Sequence, residues 1–160
     1  MDTHSIQKIL VAVDFADEAE DILKIAGEMG NGLSAELHLV HIFQPDLDLT
    51  YDLMMYPVLI PGETLAEHEA LLQAERTQLR GQADTLRQAG AKTFGYMKPI
   101  EKDIAGSIID FAEEIQADMI LMGTSHPGRV EEFFLGSVAK TVLKRSLIPV
   151  LIVPRSANGK

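Results

Sequence analysis

The stretch Gly123-Thr-Ser-His-Pro-Gly-Arg-Val-Glu-Glu-Phe-Phe-Leu-Gly-Ser-Val138 decides how this chain is read. The apolar run Met119-Ile-Leu-Met122 leads into it, and residues 139–145 lead out with helical spacing. The order is therefore strand, glycine-bearing loop, then a helix whose first residues are Gly136, Ser137 and Val138. A backbone arranged in this way makes an anion site. Glycines let main-chain N–H groups approach an oxyanion, and a helix N-terminus adds unpaired donors and the positive end of its dipole. The loop is read as a holder of nucleotide phosphates.

Outward from that stretch, Pro149-Val-Leu-Ile-Val-Pro154 reads as a strand bracketed by prolines, and residues 155–160 as a polar tail. Upstream, residues 101–116 carry Ile104, Ile108, Ile109, Ala112 and Ile115 on one helical face. Residues 91–97 form a weak strand after Gly90. Residues 64–89 form a long helix with Leu65, Leu72, Leu79 and Leu86 at seven-residue intervals. Polar residues fill the companion rows, so this is a stripe lying on a sheet rather than a zipper. Residues 44–63 hold Pro45, Pro57 and Pro61 yet are rich in apolar side chains, which suits a segment packed on something. Residues 35–43 and 6–13 are strands, and residues 17–29 are a helix that Gly30-Asn-Gly32 should stop.

The order βαβαβαβαβ implies an α/β fold: one parallel sheet with helices on both faces, a single domain over residues 1–155. In such sheets ligands bind beyond the carboxyl ends of the strands, where strand order reverses. Strands 1 and 4 meet there, so Asp14 and Gly123 should face one crevice. Asp14 reads either as a ligand contact, accepting from ribose or adenine, or as a cap or turn residue before the first helix. Arg129 reads either as a phosphate contact or as a surface residue.

Composition removes several function classes. The chain has 160 residues, no cysteine and a formal charge of −10. Thiol chemistry and thiolate metal sites are excluded, and nucleic acid or an anionic membrane is disfavoured as a partner. No apolar run approaches the roughly 18–20 residues of a membrane span, and the N-terminus lacks a secretory pattern, so a cytoplasmic location is expected. His38 and His41 are three apart on a strand and point to opposite faces, so no metal site of protein ligands is expected. The P-loop pattern fails because Arg129 and Val130 stand where Lys and Ser or Thr are needed. Ser137-x-x-Lys140 is too common a pattern to imply a nucleophile. Ser137 reads instead as an N-cap or phosphate contact.

With these residues in place the chain resembles the universal stress protein family. The resemblance rests on Ile9-Leu-Val-Ala-Val-Asp14, His41-Ile42, Ala117-Asp-Met-Ile-Leu-Met-Gly-Thr124, Leu135-Gly-Ser-Val-Ala139 and Pro149-Val-Leu-Ile-Val153. It implies strand order 3-2-1-4-5 and a homodimer, often joined through the last strands, here Val150–Val153. It also implies an adenine nucleotide, ATP or AMP, on a G-x2-G-x9-G-[ST] pattern, with any Mg²⁺ held through the phosphates. Carried over residue by residue, the binding set is Ala12, Val13, Asp14, Ile42, Met122, Gly123, Ser125, His126, Gly128, Arg129, Gly136, Ser137 and Val138. The second motif glycine is replaced by His126, with Pro127 beside it, and a serine often found two residues after the aspartate is Ala16. Two outcomes follow: Gly128 serves in a re-threaded loop, or the site narrows to AMP-like ligands or none. The expected function is a dimeric stress-response regulator or sensor that binds nucleotide and hydrolyses ATP slowly at most. The alternative is an interaction module of the same fold that binds no nucleotide. Either requires a regulatory protein partner that the residues do not identify.

Overall fold

Short β-branched runs alternating with helical periods give the order β1 (Lys8–Ala12), α1 (Ala19–Leu33), β2 (Glu36–Phe43), α2 (Leu65–Gln88), β3 (Thr93–Pro99), α3 (Ile104–Glu114), β4 (Met119–Gly123), α4 (Ser137–Arg145) and β5 (Val150–Val153). This computed structural model describes residues 5–15, 19–45, 65–124 and 135–154. The segment expected to pack between Pro45 and Thr64 lies outside the described residues, as does the tail. No described helix is long and apolar enough to cross a membrane.

The sheet has the expected order β3-β2-β1-β4-β5, and every pairing is parallel. β1 and β4 are neighbours in the register Ile9↔Met119 through Ala12↔Met122. Alternation along β1 sends Ile9, Val11 and Val13 to one face and Leu10 and Ala12 to the other. The first face packs on α1 and α2 through Ile22, Ala26, Leu79, Ala83 and Leu86. The second packs on α3 and α4 through Ile108, Ala112, Ala139 and Val142. Ile9, Leu10, Val11, Leu37, Leu39, Ile120 and Leu121 are fully buried, each worth about 1.5–3 kcal/mol of transfer free energy. His38 and His41 do lie on opposite faces: the His38 ring stacks 5.7 Å from that of Tyr96, which meets Phe111 of α3, while His41 reaches Glu75 of α2.

Three sequence readings are corrected. Gly30-Asn-Gly32 does not stop α1, which runs on to Leu33. Gly30 lets the helix lie close to the sheet instead, since a Cβ there would stand 3.0 Å from Leu37. The stop comes from Ser34, at φ 55°, with Ala35 N–H donating to Gly30 C=O at 2.9 Å and Ser34 N–H to Asn31 C=O at 3.4 Å; this is a Schellman closure. The third helix begins at Ile104 rather than at residue 101, because the Asp103 carboxylate caps it by accepting from Gly106 N–H at 2.7 Å. Glu101 N–H is held outside the helix by Ser107 Oγ at 3.2 Å. On α2 the leucine stripe meets the sheet only in its second half: Leu79 and Leu86 are buried, Leu72 is half-buried and neighbouring Leu71 is 48% exposed.

Candidate functional site

Three chain ends meet above the β1–β4 seam. β1 is carried one residue past its last strand position by Val13 N–H donating to Val40 C=O at 3.0 Å, which delivers Asp14 to the carboxyl edge of the sheet, exposed. α1 is described from Ala19 onward, and residues 16–18 before it lie outside the described residues, so the reading of Asp14 as a cap or turn residue stands beside that of a ligand contact. β4 ends at Gly123, and Thr124 N–H donates to Val153 C=O at 3.1 Å. α4 enters with Gly136 at the N-cap position and no side-chain cap hydrogen bond. Ser137 is therefore the first helical residue and not the cap, and Gly136 offers the first-turn N–H groups no side-chain acceptor.

These ends border one cavity of about 530 Å³, within the range of small-molecule sites. Of the expected site residues, Ala12, Val13, Asp14, Ile42, Met122, Gly123, Gly136, Ser137 and Val138 all line it. Ser125, His126, Gly128 and Arg129 lie outside the described residues. The structure adds Ile22, Val40, His41, Ile104, Ile108 and Thr124 to the lining. Thr124 was legible as the residue after the first glycine. Ile104 was not, because the helical period marks it as a core position although it is 42% exposed at the cavity.

One wall of the cavity is apolar, formed by Val40, Ile42, Ile104, Ile108 and Met122. Among the described lining residues no Lys or Arg is present and Asp14 carries the formal charge. Among the described residues, the groups able to meet a negative ligand at this end of the sheet are main-chain N–H groups and the α4 dipole. His41 braces the floor. Its Nδ1 lies 3.1 Å from Val13 C=O, so Nδ1 carries the proton and donates. Its ring packs 4.1 Å from that of Phe15, and Nε2 stands 3.5 Å from Glu75 of α2.

The wall helix α3 is tied to α4. Arg145 Nη1 reaches Asp103 Oδ2 at 3.0 Å, and the Gly106 N–H, then the Arg145 guanidinium, hold the Asp103 carboxyl below the usual aspartate range. A Cβ at Gly106 would stand 3.3 Å from both Arg145 and Asp103, so the bare position makes room for the pair. Among the described residues no group of three or more His, Cys, Asp or Glu is placed to hold a metal ion.

A family model described as the universal stress protein family matches residues 5–154. A universal stress protein of Methanocaldococcus jannaschii is 28% identical over 151 residues, covering 93% of this chain and 82% of its own length. The structure of the universal stress protein from Archaeoglobus fulgidus in complex with dAMP is 26% identical, with a TM-score of 0.63 over 92% of this chain and 98% of that one. A Burkholderia pseudomallei protein of the same family shares the fold at a TM-score of 0.71 and 24% identity, over 94% of this chain and 98% of its own.

Proposed function

The chain belongs to the universal stress protein family, and from that premise we propose that its cavity binds an adenine nucleotide and that the protein acts as a dimeric regulator or sensor. The observation that carries this reading is the meeting of a helix N-terminus with glycine at its cap, a bare strand end and an exposed carboxylate in one cavity with an apolar wall. Ile42, Ile104 and Ile108 would take the purine, Asp14 the ribose hydroxyls, and the N–H groups at Gly136, Ser137 and Val138 the phosphate. The dAMP bound by the Archaeoglobus relative supports the choice of an adenine base and at least one phosphate. Any Mg²⁺ would be held by phosphate oxygens and water. No described lining group stands out as a general base for a γ-phosphate, so hydrolysis is slow at most and the protein works by binding, in the cytoplasm.

Calorimetry and thermal shift with AMP and ATP test the reading. Binding raises Tm, with about 2.7 kcal/mol of added stability when the ligand is at a hundred times its Kd. Gly136→Val places a branched side chain at the phosphate approach and abolishes the shift. Absence of heat and of any shift with millimolar AMP, ADP and ATP would leave the nucleotide-free interaction module as the function.

A further inference from the structure

We propose that the free edge of β3 and the arginine-bearing face of α2 form a docking groove for an extended acidic peptide of another protein. Among the described residues β3 is the terminal strand and pairs only with β2. Leu37 N–H donates to Lys92 C=O and Ile100 N–H to Phe43 C=O, both at 2.8 Å. Even-numbered positions of β3 therefore turn their backbone groups to β2, and Thr93, Gly95 and Met97 turn theirs outward. Arg87 Nε takes the Thr93 carbonyl at 2.8 Å, which leaves the N–H and C=O of Gly95 and Met97 on the open edge.

Beside that edge lies a second cavity of about 370 Å³, floored by Leu79, Gly95 and Met97 and walled by Arg76, Arg80 and Arg87. Three arginines on one groove are unexpected in a chain of net charge −10. Arg87 is paired with Asp84 at 2.6 Å. Among the described residues Arg76 and Arg80 have no ion-pair partner. Gly95 is exposed, and its missing side chain is not demanded by packing: a Cβ there would meet Leu79 at an ordinary 3.5 Å. The bare position instead lets another backbone approach the edge.

Spacing selects the occupant. Four residues of helix advance about 6 Å, so Arg76 and Arg80 are offset by nearly the distance between alternate side chains on a strand, about 6.6–6.8 Å. An added strand would thus offer carboxylates at every second residue to the two guanidiniums while its main chain pairs with Gly95 and Met97. A lone phosphate would use the arginines but not the edge.

The test is fluorescence anisotropy of the full-length protein with a fluorescein-labelled eight-residue peptide alternating glutamate and valine. A lysine-for-glutamate peptide is the control. The glutamate peptide binds and the lysine peptide does not. Arg76→Ser combined with Arg80→Ser weakens binding by about tenfold or more. Gly95→Pro removes one outward N–H without touching the β2 ladder and weakens binding on its own, with Tm retained in both variants. Equal binding of both peptides, no binding, or binding insensitive to either variant overturns the proposal. Loss in the arginine variant alone, with inorganic pyrophosphate competing fully, replaces it with a simple anion site. The chain's own Asp46 and Asp48 have the same spacing of two, and Asp52 follows four residues on. Binding seen only after all three are changed to Asn overturns the external partner in favour of an internal one.

Discussion

A Cβ at Gly123 would stand 2.6 Å from Ile22 Cδ1, the far end of a side chain that would have to turn aside. From sequence, this glycine is a close-approach position for phosphate. In the fold it also seats the α1 isoleucine under the cavity floor. Gly123→Ala should therefore cost only about 0.5–1.5 kcal/mol, the cost of driving Ile22 off its rotamer, read in urea melts. The cost should shrink in an Ile22→Val background, where the clashing methyl is gone. Additive losses would show that Ile22 is not the obstacle. His38 supplies a second residue-level test. Burial, first, holds its pKa below the usual histidine value, against the pull of Glu36. The ring is thus neutral, with Nε2–H toward Glu36 Oε2 at 3.4 Å and Nδ1 facing Tyr96 Oη at 3.1 Å. Because the folded value lies below the unfolded one, the unfolded chain binds the proton more readily as pH falls. The stability contribution is complete above about pH 6.5 and is lost as pH drops toward the lowered folded value. Melts between pH 7.5 and 5, a window of about that span around the histidine range, should fall more steeply for the native chain than for His38→Phe. Parallel slopes would show that His38 does not titrate with unfolding.

At the scale of elements, three helices end in the same closure with different residues. Gly90 at φ 94°, Ser34 at 55° and Gln116 at 55° take the left-handed position, and buried Ala91, Ala35 and Ala117 follow them. Ala91 N–H donates to Leu86 C=O at 3.0 Å and Ala117 N–H to Ala112 C=O at 2.8 Å, as Ala35 does to Gly30. A side chain in that conformation is strained, while glycine is not. Ser34→Gly should raise stability by about 0.5–1 kcal/mol despite the added freedom of the unfolded chain, measured by urea unfolding. A loss would mean that the serine hydroxyl contributes more than the strain costs. The same scale explains how the site is held: Asp103 caps α3 and grips Arg145 in the last turn of α4. The apolar wall and the helix that opens at Gly136 are thereby joined by one carboxylate.

Across the whole molecule, the two sheet edges differ in kind. β5 pairs only with β4 and sits beside apolar surface, with Leu151 36% exposed and Leu147 94% exposed, which suits pairing with a second copy. The β3 edge is bordered by guanidiniums, which suits an acidic strand. For the proposed dimer, Leu151→Lys should give a monomer in sedimentation velocity because a charge on an edge strand opposes strand pairing. An unchanged dimer would move the interface elsewhere.

Much of this architecture follows from the chain read locally. Runs such as Ile9-Leu-Val-Ala-Val13, alternating with helical periods, require parallel strands and crossovers, and so set β1 beside β4 with Asp14 and Gly123 at one end. Burial periodicity is a property of neighbours along the chain, and residue order carries it in full. Which apolar residue leaves the core to line a cavity, as Ile104 does, is decided only by what packs opposite it. The same holds for Ile22 against Gly123, for His41 under Val13, and for Arg76 and Arg80 beside a strand edge. Those neighbours come from distant parts of the chain. Their meeting depends on helix placement over the sheet, which no local period encodes.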